Sequence, residues 1–334
     1  MTIDLPLIWA GVIAFGIFMY VVMDGFDLGI GILFPFIRDK EERDAMMNTV
    51  APIWDGNETW LVLGGAGLFA AFPLAYSVVL TALYLPLIIM LIALIFRGVA
   101  FEFRFKAKRT RYVWDAAFIG GSVVATFAQG VVLGAFVEGI KVADRQFVGG
   151  AFDWLAPFPL FCGAGLVAGY AMLGCAWLLM KTEGRLQRKM YKLMLPLTCL
   201  LLLFISAVSI WTPLTQPAIA QRWFTLPNLF YFIPVPTLVA VTVLGIVRAI
   251  QLKKDKQPFV LTLALIALAY TGLAISMWPN IVPPSLSIWD ASAPHSSQAF
   301  ALVGVTIMVP IILIYTAYSY WVFRGKVKVG EGYH

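Results

Sequence analysis

Apolar positions run along this chain in long unbroken stretches rather than alternating or recurring every third or fourth residue. Nine stretches reach the roughly 20 residues needed to cross a bilayer: 6–36, 49–72, 76–98, 115–139, 160–180, 193–212, 226–250, 258–278 and 299–323. The pattern predicts an all-α polytopic membrane protein with about nine transmembrane helices. The first stretch would be about 45 Å long as one helix, more than a bilayer needs, so it must tilt, protrude or break near Gly25, Gly29, Gly31 and Pro35. Small residues four apart, at Gly25/Gly29, Gly130/Gly134 and Gly165/Gly169, allow helices to approach closely, which is how membrane helices associate when burial gives little drive.

Composition agrees: 61% of residues are hydrophobic and 13% charged, against about 25% charged in globular domains. Basic residues give the orientation, because segments rich in them stay in the cytoplasm. Alternate connections hold three (38–43), five (104–111), five (181–192) and four (248–256), and the tail from Arg324 holds three more. The other side has only Lys141, Arg145 and Arg222, which predicts the N-terminus outside and the C-terminus in the cytoplasm. The net charge of +6 follows from this topology and argues for no nucleic-acid partner. The N-terminus lacks the basic segment of a cleavable signal, so the first span is expected to remain as an anchor.

Three units are expected: 1–142 and 143–280 as four-helix bundles, then 281–334 as an external loop, the last span and a cytoplasmic tail. The connections at 140–159, 213–225 and 279–298 carry Pro and Trp and few charges, which suggests ordered external caps. Trp154, Trp223, Trp278 and Trp289 fall where an aromatic belt would lie. Cys162, Cys175 and Cys199 form no CxxC and read as packing residues.

Chemistry concentrates in the first three spans, whose inner thirds hold Asp24, Asp27, Asp55, Glu58 and Arg97, with Glu102 just beyond. A charge at mid-membrane costs about 2.5–3.5 kcal/mol on the lenient scale, so these groups need partners, water or protons. Residues three apart share a helix face, which pairs Asp24 with Asp27 and Asp55 with Glu58. Crowded carboxylates in low dielectric cannot all be ionised, so one can carry a proton and pass it on. The alternatives are a buried ion-pair network, with Arg97 neutralising one acid and Asn57 and Thr59 hydrogen-bonding another, or acids capping a helix break near Gly25. Asp115 and Glu138 lie near span ends and read as interfacial. Histidine is confined to His295, in an external loop, and His334, the last residue. That leaves no in-helix histidine to hold a b-type haem, and the twelve methionines read as packing. Walker A, GxSxG and HExxH motifs do not occur.

The phrases MDGFDLGIG (23–31), APIWDGNETWL (51–61), FRGVAFEFR (96–104), SIWDASAPHSSQ (287–298) and VPIILIYTAYSYW (309–321) resemble subunit II of the cytochrome bd-type quinol oxidases, along the whole chain. The resemblance implies a nine-helix subunit in the bacterial inner membrane, paired with a haem-bearing subunit I in a complex that oxidises quinol outside and reduces dioxygen to water, generating proton-motive force. It implies that this chain ligates no cofactor itself, that haems b and d, or b-type haem alone, reside in subunit I, and that ubiquinol is the substrate. Small accessory membrane peptides and the lipid bilayer complete the implied partners. It assigns a proton route from the cytoplasm to Asp24, Asp27, Asp55 and Glu58, with Arg97 and Glu102 beside it. Trp60 matches a position near an apolar dioxygen route and equally suits a packed aromatic. The connection at 213–225 is shorter than in some members, and Glu58 stands where some have Gln, as in the short-loop, cyanide-insensitive branch. The rivals are a secondary transporter, with a site at a broken helix near Gly25, and a scaffold whose buried acids only hold helices together.

Overall fold

The computed structural model describes residues 3–328 and 330; His334 lies outside the described residues. Twelve α-helices and two short hairpins make up the described chain. Eight helical segments are long and apolar enough to span a membrane: Leu5–Phe36, Pro73–Phe103, Arg111–Glu138, Pro157–Lys181, Gly184–Thr215, Asn228–Gln251, Gln257–Met277 and His295–Val322. The remaining expected span, 49–72, is a helix of 18 residues, Trp54–Ala71. Its first residues are taken up by a buried turn wound onto the preceding helix, where Thr49 N donates to Ala45 O and Ile53 N to Val50 O. Asp55 and Glu58 then make its start polar.

Helix α1 (Leu5–Leu33) is capped by Asp4, whose side chain accepts from Leu7 N, and begins with Pro6 in its first turn. It is continuous through Gly25, Gly29 and Gly31 and gives way to a 3₁₀ turn only at Phe34–Phe36, where Pro35 sits. Of the expected alternatives, a break at Gly25, Gly29 or Gly31 is absent, and the helix gives way at Pro35. The glycines serve close packing instead. A Cβ on Gly29 would lie 2.0 Å from the Tyr170 carbonyl oxygen of α6 (Pro157–Lys181), and one on Gly31 would meet Ser122. A short amphipathic helix, α2 (Lys40–Asn48), follows within a connection expected to be only a basic loop; Asp39 caps it by accepting from Glu41 N and Glu42 N.

After α3 (Trp54–Ala71), α4 (Pro73–Phe103) bends at Leu83, whose φ and ψ of −120° and 17° lie three residues before Pro86. The bend follows from the proline ring pressing on the turn before it. Helix α5 (Arg111–Glu138) packs on α4 and α6, and Gly130 and Gly134 bring it against α6: their Cβ positions would lie 2.6 Å from the Cys162 carbonyl and the Pro159 Cα. The small-residue spacing predicted from sequence thus does its work at the α1–α6 and α5–α6 contacts.

The rest comprises α7 (Gly184–Thr215), α8 (Pro217–Phe224), α9 (Asn228–Phe232), α10 (Pro234–Gln251), α11 (Gln257–Met277) and α12 (His295–Val322). The expected 226–250 span is divided between α9 and α10 around Pro234. The connections at 140–159 and 279–298 are ordered, each with a two-stranded hairpin, β1–β2 (Val142–Ala143, Gln146–Phe147) and β3–β4 (Asn280–Val282, Leu286–Ser287). They are tied together by Ile140 N to Pro283 O and to α3 by Ala293 N to Ala71 O.

Burial is lopsided. Residues 22–33 of α1 and 168–179 of α6 are buried throughout, whereas α12 buries only Gln298 and has Phe300 at 85% and Ile314 at 70% exposure. The five lysine- and arginine-rich segments gather at one end of the bundle, which we call the basic end.

Candidate functional site

Three helices meet at Arg97. It lies on α4 with its side chain fully buried, and Gly121 lets α5 close over the backbone there, since a Cβ would sit 2.8 Å from Arg97 N. Nη1 donates to Asp24 Oδ1 of α1 at 2.6 Å, and Nη2 donates to Glu58 Oε1 of α3. The guanidinium also stands over the Trp54 ring, 5.8 Å from its centroid. One turn toward the basic end of α1, Asp27 Oδ2 accepts from Asn57 Nδ2 at 2.8 Å, and Asn57 Oδ1 accepts from the Tyr320 hydroxyl of α12 at 2.9 Å.

Three carboxylates thus face one guanidinium in the middle of the bundle. Asp24 and Asp27 are fully buried, and each keeps one oxygen, Oδ2 and Oδ1 respectively, without a protein hydrogen-bond partner. Glu58 is 27% exposed and opens the cluster toward the outer face of α3. An excess of buried carboxylate over cation is not a stable ionic balance by itself. It is an arrangement able to hold an exchangeable proton.

The structure brings Asp24, Asp27, Glu58 and Arg97 together and leaves two sequence candidates outside. Asp55, in the first turn of α3, points to the surface, and Glu102 is 66% exposed and pairs with Lys106 at 3.6 Å. Thr59 does not serve a carboxylate; its hydroxyl donates to the Asp55 carbonyl of its own helix. Trp60 is fully buried with Tyr20 and Met23, edge-on to Phe15.

A polar chain that the sequence reading missed extends the cluster. Gln129 Nε2 donates to the Tyr20 hydroxyl at 2.7 Å, and the Tyr170 hydroxyl donates to Gln129 Oε1 at 3.1 Å, linking α1, α5 and α6. Two signals were available: Gln129 is the one amide in α5, and Tyr20 precedes Asp24 by one helical turn.

A second ionic network lies nearer the basic end. Buried Arg104 donates from Nη1 to Asp44 at 2.6 Å and from Nε to Asp115; Arg111 also donates to Asp44, and Arg43 to Asp115 at 3.0 Å. Asp115, near the start of α5, is a part-buried ion-pair partner of both Arg43 and Arg104. Phe34, Phe101 and Phe118, in edge-on contact, separate this network from the Arg97 cluster.

Among the described residues no group of three or more His, Cys, Asp and Glu converges as a metal site. His295 opens α12 in an exposed first turn, and no second histidine faces it among the described residues, so these residues do not fit a haem held by two imidazoles.

Fold and site together define a multi-pass helical membrane subunit with an acid-rich cluster around one buried arginine, and the continuous α1 removes the broken helix that a transporter site would have used. The chain belongs to the cytochrome bd terminal oxidase subunit II family, whose pattern it matches over residues 5–323. It is 29% identical over 366 residues to the cytochrome bd-I ubiquinol oxidase subunit 2 of Escherichia coli K12, covering 97% of this chain and 95% of that one. It is 30% identical over 342 residues to the cytochrome bd ubiquinol oxidase subunit 2 of Bacillus subtilis 168, covering 98% and 97%. The fold matches a chain of the bd oxidase of Geobacillus thermodenitrificans with a TM-score of 0.72 at 17% identity, over 96% of this chain and 99% of that one. The protein is therefore a multi-pass subunit of a terminal oxidase in the bacterial cytoplasmic membrane.

Proposed function

We propose that this chain pairs with a haem-bearing subunit I and feeds protons from the cytoplasm into a complex that oxidises ubiquinol and reduces dioxygen to water. The haems b and d, or b-type haem alone, belong to subunit I, and this chain's residues carry protons rather than electrons. The basic end faces the cytoplasm, as the distribution of Lys and Arg favours. The two four-helix units, 1–142 and 143–280, act as halves joined through α6, with 281–334 closing the far side.

The observation that carries this function is the surplus of carboxylate around Arg97, with Glu58 part-exposed and Asp55 and Thr59 exposed on the same helix. Polar side chains at this depth are excluded from hydrocarbon, so the face of α3 that bears them favours a protein partner, and subunit I is the partner the family supplies. The neighbouring exposed face of α12, with Ile311, Ile314 and Tyr318, extends the same surface. Protons reach Glu58 at this seam and pass to Asp24 and Asp27, which Arg97 and Asn57 hold in place. Asp55 acts as the outer collector, Glu102 belongs to the charged rim, and Trp60 packs behind the cluster, beside any apolar path for dioxygen. Accessory membrane peptides have ample exposed helix surface on α10 and α12, whose other neighbour is lipid.

The test is Asp24→Asn, which keeps shape and hydrogen bonding but cannot exchange a proton. In the assembled complex with normal haem content, quinol oxidation should fall about tenfold or more, about 1.4 kcal/mol per decade of rate. Normal turnover in both Asp24→Asn and Asp27→Asn complexes would leave these acids as structural ion pairs.

A further inference from the structure

Ser122, Thr126 and Gln129 are spaced by four and three residues along α5 and so occupy one face of it. That face meets α1: Ser122 Oγ lies where a Gly31 Cβ would be, and Gln129 bonds Tyr20. The file spans 11 residues of α1, about 16 Å of helix, and the two carboxylates fall within it.

Ser122 and Thr126 are fully buried, and neither hydroxyl has a protein partner. Buried threonines elsewhere in this chain resolve the same problem by turning back on their own helix: Thr198 donates to Met194 O at 2.8 Å, Thr262 to Pro258 O at 2.7 Å and Thr182 to Leu178 O at 2.6 Å. Ser122 and Thr126 do not turn back. The unsatisfied oxygens of Asp24 and Asp27 belong to the same stretch of α1. A buried polar atom without a partner is destabilising, and two unused donors on the α5 face that meets two unused acceptors of α1 are what bridging water satisfies.

We infer that Ser122 and Thr126 are positioning residues for the proton route, donating through ordered water in the α1–α5 seam to the free oxygens of Asp24 and Asp27, with Tyr20, Gln129 and Tyr170 closing the far end. Phe34 and Phe118 close the end nearest the basic side, so the seam is a hydrated pocket beside the route and not a second channel. The water bridges the acids and stays neutral throughout: it accepts a proton from the protonated acid as it donates one to the ionised acid. Tyr20 from one turn earlier on α1, Arg97 from α4, Glu58 from α3, Tyr320 from α12 and Tyr170 from α6 bear on the same two acids. Tyr20 and Arg97 are donors beside Asp24, and none of these groups donates to Asp27 Oδ1.

This inference rests on the proton-route function, and the test separates the two. Ser122→Ala, Thr126→Val and the double variant are compared with Thr126→Ser, Asp24→Asn and Asp27→Asn, all in the complex with subunit I and at equal haem content. Loss of two donors to the ionised acids should move the acid limb of the turnover–pH profile upward by about one unit, with Thr126→Ser retaining the parent profile. A larger solvent deuterium isotope effect in the double variant is the second expected result. If Asp24→Asn and Asp27→Asn lose turnover while the double variant keeps the parental profile and isotope effect, the seam is dry packing and the inference falls alone. If the two Asn variants also retain full turnover, the proton route falls and this role falls with it.

Discussion

Two ion networks lie one above the other in the bundle, separated by three phenylalanines, and they are built from the same residue types in opposite proportion. Around Arg97, two carboxylates share one guanidinium with a third, Asp27, one turn away, and one oxygen each of Asp24 and Asp27 has no protein partner. Nearer the basic end, Arg43, Arg104 and Arg111 surround Asp44 and Asp115, and each carboxylate is held by two arginines. The lower network is over-supplied with fixed cations, since arginine does not give up its proton. It can only tie α2, α4 and α5 together. The upper network has an excess of groups that do exchange protons. What separates a clasp from a relay is therefore the ratio of acid to base and the number of hydrogen-bonding positions left open, and not the presence of buried charge.

Replacing Arg97 with Leu should break the contrast most severely. It strands Asp24 and Glu58 without a cation, a loss of about 3–5 kcal/mol for a buried pair, and the complex should fail to accumulate or melt far below the parent in detergent. Gly29→Val comes next. Its Cβ would overlap the Tyr170 carbonyl, and forcing α1 from α6 should cost about 3 kcal/mol, read as a lowered melting temperature with lost turnover. Arg104→Leu should be milder, because Arg43 and Arg111 still neutralise Asp115 and Asp44. A loss of about 1.5 kcal/mol is expected, with the pH profile of turnover unchanged, and a shifted profile would erase the distinction between the two networks.

The smallest effect concerns the opposite end of the bundle. The hydrogen bond from Lys141 holds the Asp153 carboxyl below the usual carboxylate range. A depressed carboxyl stabilises its loop above its ordinary titration range and ceases to as pH falls through the lowered value. Protection over 141–153, taken as hydrogen exchange relative to the intrinsic amide rate at each pH, should therefore fall on acidification in the parent, and Lys141→Met should flatten that fall.

Much of this architecture was legible because hydrophobic length is a one-dimensional property. Each of the nine stretches is largely helical, with 226–250 divided into two helices and 49–72 shortened at its start, and the acids of the first two were recognisable from their depth. Their partners were not. Asp24 and Arg97 are 73 residues apart, and no local pattern says which turn of α4 faces which turn of α1. The three-residue rule grouped Asp55 with Glu58, yet helix α3 begins at Trp54, so Asp55 sits in the opening turn and faces outward while Glu58 reaches Arg97. Asp115 and the loop arginines looked like topology signals alone, because the folding back of α2 that surrounds Arg104 leaves no trace in hydropathy. The glycines of α1 were visible, but whether they break a helix or admit a neighbour depended on α6.

The separation of Asp24 from Arg97 also has a consequence in time. At a synthesis rate of about 5–20 residues per second, the segment between them takes about 4–15 s to make. Throughout that interval α1 is already a hydrophobic helix bearing two acids whose cation does not yet exist. It must wait at the translocon or at the water-exposed edge of the bilayer, or enter with its carboxyls neutral, until α4 arrives. Closure of the ion pair at the centre of this subunit is therefore a late event in its biogenesis, timed by the synthesis of α4 and not of α1.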